Sequence, residues 1–97
     1  MVKHIILWTL KEEHNNEEVK QGIKESLEAL TGIVPGLLEI KVITNPLSSS
    51  NADVMLYSVF ENEEALKGYA VHPAHVEAAD KKVRPFTQTR LCMDYMA

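Results

Sequence analysis

Tyr69-Ala70-Val71-His72-Pro73-Ala74-His75 places a phenol and two imidazoles within seven residues, and it also interrupts a helix. The residue before a proline is pushed toward extended backbone, while proline itself suits a first helical turn. The helical stretch after Asn62 is therefore broken at His72-Pro73. Its first part carries Ala65, Leu66 and Tyr69 behind an Asn62 cap. Its second part presents His75, Val76, Ala79 and Val83 on one side, and Pro85 ends it.

The elements on either side of this break fix the fold. Upstream, Asp53 to Phe60 reads as a strand with both faces apolar, Val54, Leu56 and Phe60 against Met55, Tyr57 and Val59. Thr44 to Asn51 is a polar loop with Pro46 and three serines, short enough to join two strands. Leu37 to Ile43 is the strand before it, where Leu38, Ile40 and Val42 alternate with Glu39 and Lys41. Asn15 with Glu18 suggests a capping box for a helix whose stripe is Val19, Ile23, Leu27 and Leu30. Gly32 can end that helix, and Pro35-Gly36 turns the chain. Val2 to Leu10 opens the chain as a strand, with Ile5 and Leu7 on one face and His4, Ile6, Trp8 and Leu10 on the other. Downstream, Gln88 to Tyr95 is the last strand.

The order β-α-β-β-α-β is that of an α+β, ferredoxin-like protomer with an antiparallel sheet. Its helices cover one sheet face. The other face is also apolar here, and an exposed apolar face of this size marks an interface. A homodimer packed sheet on sheet is expected, with either Met55-Tyr57-Val59 or Val54-Leu56 at the contact.

Composition narrows the function. The chain has 97 residues, 45% of them hydrophobic, which is enough for one domain with a thin core. Its net charge is −4 and its Lys and Arg are scattered, so no nucleic-acid partner is expected. The longest apolar run, Ile5 to Trp8, is too short for a membrane span. Met1-Val2-Lys3-His4 leads into it without a cleavage-site pattern, so no signal peptide is expected. The single Cys92 excludes an intrachain disulfide and fits a cytoplasmic setting. Neither a phosphate loop, nor a nucleotide fingerprint, nor a serine elbow is present. Trp8, Met55 and Cys92 read as structural residues.

The chain resembles the stress-responsive dimeric α/β-barrel (Dabb) domain family along its whole length. The residues that carry the resemblance are Val2-Lys3-His4, Val34-Pro35-Gly36, Phe60 with Glu64-Ala65-Leu66, His72-Pro73-Ala74-His75 and Asp94-Tyr95. The His-Pro-x-His element is the most specific of them. The resemblance implies one domain over 1–97, a barrel made by two protomers, and a small cavity between sheet and helices. The family includes plant stress proteins and a plant polyketide cyclase that closes a ring by intramolecular aldol condensation. That enzyme's Tyr-x-x-His-Pro-x-His pattern falls here on Tyr69 and His75 as the catalytic pair, with His72 and His4 as neighbouring pocket histidines.

The chemistry of these residue types agrees with that assignment. Imidazole is a suitable base for a proton α to a carbonyl, and a phenol can stabilise the resulting enolate. His4 would orient or tune His75. The blander reading is a buried polar cluster that fixes helix to sheet, with His72 bonding local backbone. His72, His75 and His4 offer three nitrogens to zinc, but no Cys or carboxylate completes that pattern, so neither metal nor cofactor is expected. Free carbonyls near Thr31, Val34 and Leu37 are another place where a cation could sit. Two functions follow: a small-molecule-binding barrel with acid–base activity on a hydrophobic carbonyl ligand, or a non-enzymatic stress or stability protein.

Overall fold

The computed structural model describes residues 1–97. Its elements are β1 (Val2–Leu10), α1 (Glu17–Glu28), β2 (Leu37–Ile43), β3 (Val54–Phe60), α2 (Glu63–Val71), α3 (Pro73–Ala78) and β4 (Thr87–Met96). The strands form one antiparallel sheet in the order β2-β3-β1-β4, which is the ferredoxin-like α+β arrangement. The expected topology is the observed one.

Strand alternation decides what is buried. Val2, His4, Ile6, Trp8 and Leu10 of β1 point toward the helices and are all buried. From β3, Val54, Leu56, Ser58 and Phe60 join them. Ile23 and Leu27 of α1 close the core over these strands. Removing each large apolar side chain of this set from water is worth about 1.5–3 kcal/mol. The Ser58 hydroxyl donates to the His4 carbonyl at 2.9 Å, so the one small polar group in this layer is satisfied.

The opposite sheet face is open. It carries Ile5 and Leu7 of β1, Met55 and Tyr57 of β3, and Leu91, Met93 and Tyr95 of β4. Leu91 and Met93 are 72% and 67% exposed. The face with Val54 and Leu56 is the covered one. Trp8 is core as expected, whereas Met55 lies half-buried on the open face.

β2 is an edge strand whose outward backbone groups need partners. At Val42 the N–H donates to Glu28 Oε2 at 2.9 Å, and the carbonyl accepts from Lys24 Nζ at the same distance. Burial alone would raise the Glu28 carboxyl, but the bonds from Lys24 and Val42 outweigh it and hold the group below its ordinary value. These bonds strap α1 to the sheet edge.

Local details refine the element ends. The helix cap is Asn16, whose side chain accepts from Val19 N at 2.9 Å, because a tight turn at Glu12–His14 uses up Asn15. Asp53 precedes β3, and its carboxylate accepts from Leu10 N at 2.8 Å. Gly36 has φ +80° and its α-carbon presses against Ala65 of α2, where any Cβ would collide. This close approach sets α2 over the sheet.

After α3 the chain widens into a π-helical turn at Ala79–Val83 and tightens at Arg84–Phe86, so Pro85 lies inside the final turn. Ala79 and Val83 are buried. No helix is long and apolar enough to cross a membrane. The helical layer covers β1, β2 and β3 but leaves β4 exposed from Gln88 to Met96. A cavity forms where that cover stops.

Candidate functional site

The cavity has a volume of about 620 Å³ and lies between α2, α3 and the helix-facing side of β1 and β4. Val2 and Ile6 flank His4 on its floor; Leu66, Tyr69 and Ala70 come from α2 and His75 from α3. β4 contributes Arg90, Cys92 and Asp94.

Tyr69 and His75 come together because the chain turns at His72-Pro73. Their ring centroids are 4.1 Å apart with planes tilted by 35°. Tyr69 is 2% exposed, yet its hydroxyl has no hydrogen-bond partner. An unpaired buried hydroxyl costs about 1–3 kcal/mol. Burial pushes the Tyr69 phenol well above its ordinary 10.0, against a smaller opposing effect of Arg90. The phenol is therefore a proton-bearing donor across the neutral range.

His75 is half-buried. Its Nδ1 lies 3.4 Å from the Ala70 carbonyl. Only the tautomer protonated at Nδ1 can donate there, which leaves Nε2 as the free acceptor. Burial holds the imidazole below its ordinary 6.5, although the Ala70 bond works the other way. A neutral ring with a free nitrogen has the form of a general base.

His4 does not bond His75. Its Nδ1 is hydrogen-bonded to Asp94 Oδ1, directly across the β1–β4 ladder. Its ring meets Tyr69 edge-on at 6.0 Å and Phe60 at 6.2 Å. His4 therefore does not orient His75 through a hydrogen bond; it packs against Tyr69 and is one of the smaller influences that, after burial, lower the His75 pKa.

His72 lies outside the cavity. Its Nδ1 accepts from Ala74 N at 3.1 Å and so caps α3. The ring lines a shallow separate cleft with Pro35, Gly36 and Glu64. A residue in extended backbone at the break has its side chain taken by the next turn. The three-histidine metal pattern is consequently not assembled. After α1, the Val34 carbonyl accepts from Leu37 N at 3.2 Å rather than standing free.

Sequence reasoning misses the contribution of β4. Cys92 reads as structural in the sequence, but it is exposed and stands on the cavity floor. Its Sγ is 3.7 Å from His4 Nδ1 and 3.6 Å from Asp94 Oδ1. Burial and the neighbouring Asp94 carboxylate push its thiol up. The alternation Arg90, Cys92, Asp94 is the available signal, because pairing β4 beside β1 sets the three opposite Trp8, Ile6 and His4 on the cavity side of the sheet.

Comparisons agree with this architecture. The chain is 30% identical over 101 residues to a stress-response A/B barrel domain-containing protein of Arabidopsis thaliana, a match covering 100% of the chain and 37% of that protein. It thus spans little more than a third of that relative. It is 28% identical over 97 residues to olivetolic acid cyclase of Cannabis sativa, covering 97% of the chain and 94% of the cyclase. A crystal structure of a dimeric ferredoxin-like protein from Bacteroides fragilis superposes with a TM-score of 0.86 at 35% identity, covering 97% of this chain and 93% of that one. With the model of the stress responsive A/B barrel domain matching residues 2–97, this chain belongs to that family.

Proposed function

We propose that the chain is a homodimeric, small-molecule-binding α/β barrel in which Tyr69 and His75 perform acid–base chemistry on an enolisable carbonyl compound. The observation that carries this reading is the buried, unpartnered Tyr69 hydroxyl beside a neutral His75 in one cavity. His75 Nε2 takes a proton from the carbon α to the carbonyl. The C–H electron pair moves into the enolate, whose oxygen accepts a hydrogen bond from the Tyr69 O–H. The enolate carbon then attacks a second carbonyl of the same molecule, and the proton held by His75 is delivered to the new alkoxide.

Similarity to olivetolic acid cyclase over nearly its whole length supports an aldol-type reaction. Arg90 and Lys67 on the cavity wall are matched by Glu63 and Asp94, so the lining carries balanced charge around its apolar residues. The open apolar sheet face supports the homodimer, since burying Leu91, Met93 and their neighbours removes a large apolar area from water. The dimeric relative from Bacteroides fragilis supports it too. The lone Cys92 suits a cytoplasmic setting.

A non-enzymatic stability protein is the second reading. It needs only a filled core around Tyr69, and the cavity weighs against it. The test is a screen of poly-β-keto thioesters and small enolisable carbonyls against wild type, Tyr69→Phe and His75→Ala. Turnover by wild type that falls in both variants supports the acid–base pair. Turnover at the wild-type rate in both variants rejects it.

A further inference from the structure

We infer that His4, Cys92 and Asp94 form a zinc site with one coordination position open to the cavity. The inference does not depend on the roles of Tyr69 and His75. Each of the three side chains offers one ligand atom, and these atoms all lie within 4.8 Å of one another. They come from two neighbouring strands. His4 and Asp94 are direct partners in the β1–β4 ladder, and Cys92 is two residues from Asp94 on the same face.

The spacing suits a tetrahedral ion. Zinc binds sulfur at about 2.3 Å and nitrogen or oxygen at about 2.0–2.2 Å, so tetrahedral angles put a sulfur roughly 3.6 Å from each neighbouring donor. The Cys92 Sγ is 3.7 Å from His4 Nδ1 and 3.6 Å from Asp94 Oδ1. Two of the three edges are already in place. The third, between His4 and Asp94, is closed by a direct hydrogen bond and must open as the ion enters.

Donor chemistry selects the ion. A thiolate and an imidazole disfavour magnesium and calcium, which take oxygen ligands, and favour zinc. One thiolate, one carboxylate and one neutral imidazole balance the charge of a divalent ion, which matters beside a buried His4. Binding requires the thiol proton to leave and the Nδ1 proton to move to Nε2 or to solvent. All three residues line the cavity, so the fourth position faces a space that admits water or a ligand oxygen.

The test is a titration of the chelator-treated full chain with Co(II) and then Zn(II). A 1:1 complex is expected, with a near-ultraviolet thiolate-to-cobalt charge-transfer band and the intense visible bands of tetrahedral cobalt. Zn(II) should erase these bands by displacement. Cys92 is exposed, so Cys92→Ser should fold normally, as its circular dichroism will report. It should lose the charge-transfer band and bind Zn(II) about tenfold more weakly or worse. Asp94→Asn should keep the band but weaken binding. No charge-transfer band at saturating Co(II), or undiminished Zn(II) affinity in Cys92→Ser, would overturn the site.

Discussion

Tyr69 and His75 stack at 4.1 Å although they belong to different helices, and the chain break at His72-Pro73 makes that contact. In one unbroken helix, residues six apart do not stack, being more than a turn and a half along the axis from each other. The extended backbone at His72 (φ −63°, ψ 131°) lets α3 set off in a new direction, so that His75 folds back over Tyr69. The same break gives His72 its task as the α3 cap, and it removes that ring from the cavity.

The cap gives the first prediction. His72→Ala should cost about 1 kcal/mol, within the range for lost N-caps, and His72→Asn should recover most of it. Urea unfolding of the three proteins measures this. Ligand binding in the cavity should change little, because the ring faces the other cleft.

Tyr69→Phe should not destabilise the protein. The hydroxyl has no partner to lose, and its removal relieves a desolvation cost. Thermal or urea unfolding should show unchanged stability or a gain of roughly 1 kcal/mol. A clear loss would mean that the hydroxyl is bonded in the folded protein.

His75 sets the pH dependence. Burial depresses its pKa below 6.5, so the neutral base persists into mildly acidic solution. The acidic limb of kcat/KM should therefore fall below pH 6.5. Stability follows the same group. The unfolded imidazole takes up a proton at its ordinary value, and the folded one only at lower pH. The neutral ring's contribution is thus complete above pH 6.5 and is lost as pH falls toward the folded value. Unfolding free energies across this window should lose that slope in His75→Ala.

Met93→Glu should separate the proposed dimer. Met93 is 67% exposed on the open sheet face, so a carboxylate there is solvated in a lone protomer but must be desolvated between two sheets. Sedimentation at micromolar concentration should give twice the chain mass for wild type and a folded monomer for the variant. Wild type running as a monomer would remove the barrel.

The fold is legible in the sequence because its signals are local. Period-two alternation in Val2–Leu10 and Val54–Phe60, the stripe Val19, Ile23, Leu27, and the turn at Pro35-Gly36 each act over a few residues. Of the residues lining the cavity, Tyr69 and His75 stand out in the sequence because one short segment carries both, and His4 because it interrupts an apolar strand pattern. The neighbours of His4 depend on β4 pairing beside β1, a register linking residues 90 positions apart. No spacing rule connects such residues, so Asp94 and Cys92 have no visible partner in the sequence. The choice between the two faces of Val54–Phe60 is likewise open until the helices take one of them.

In the proposed reaction Tyr69 and His75 move a proton at a carbonyl's α carbon. The most direct measurement is α-proton exchange into deuterated water, followed by NMR, for a panel of small enolisable ketones and β-keto thioesters. Wild type should accelerate exchange for the compounds that bind. His75→Ala should slow it by about 10²–10⁴-fold, the usual share of a positioned base, while binding is largely kept. Equal exchange rates for wild type, His75→Ala and Tyr69→Phe, or no acceleration of any bound compound, would contradict the account.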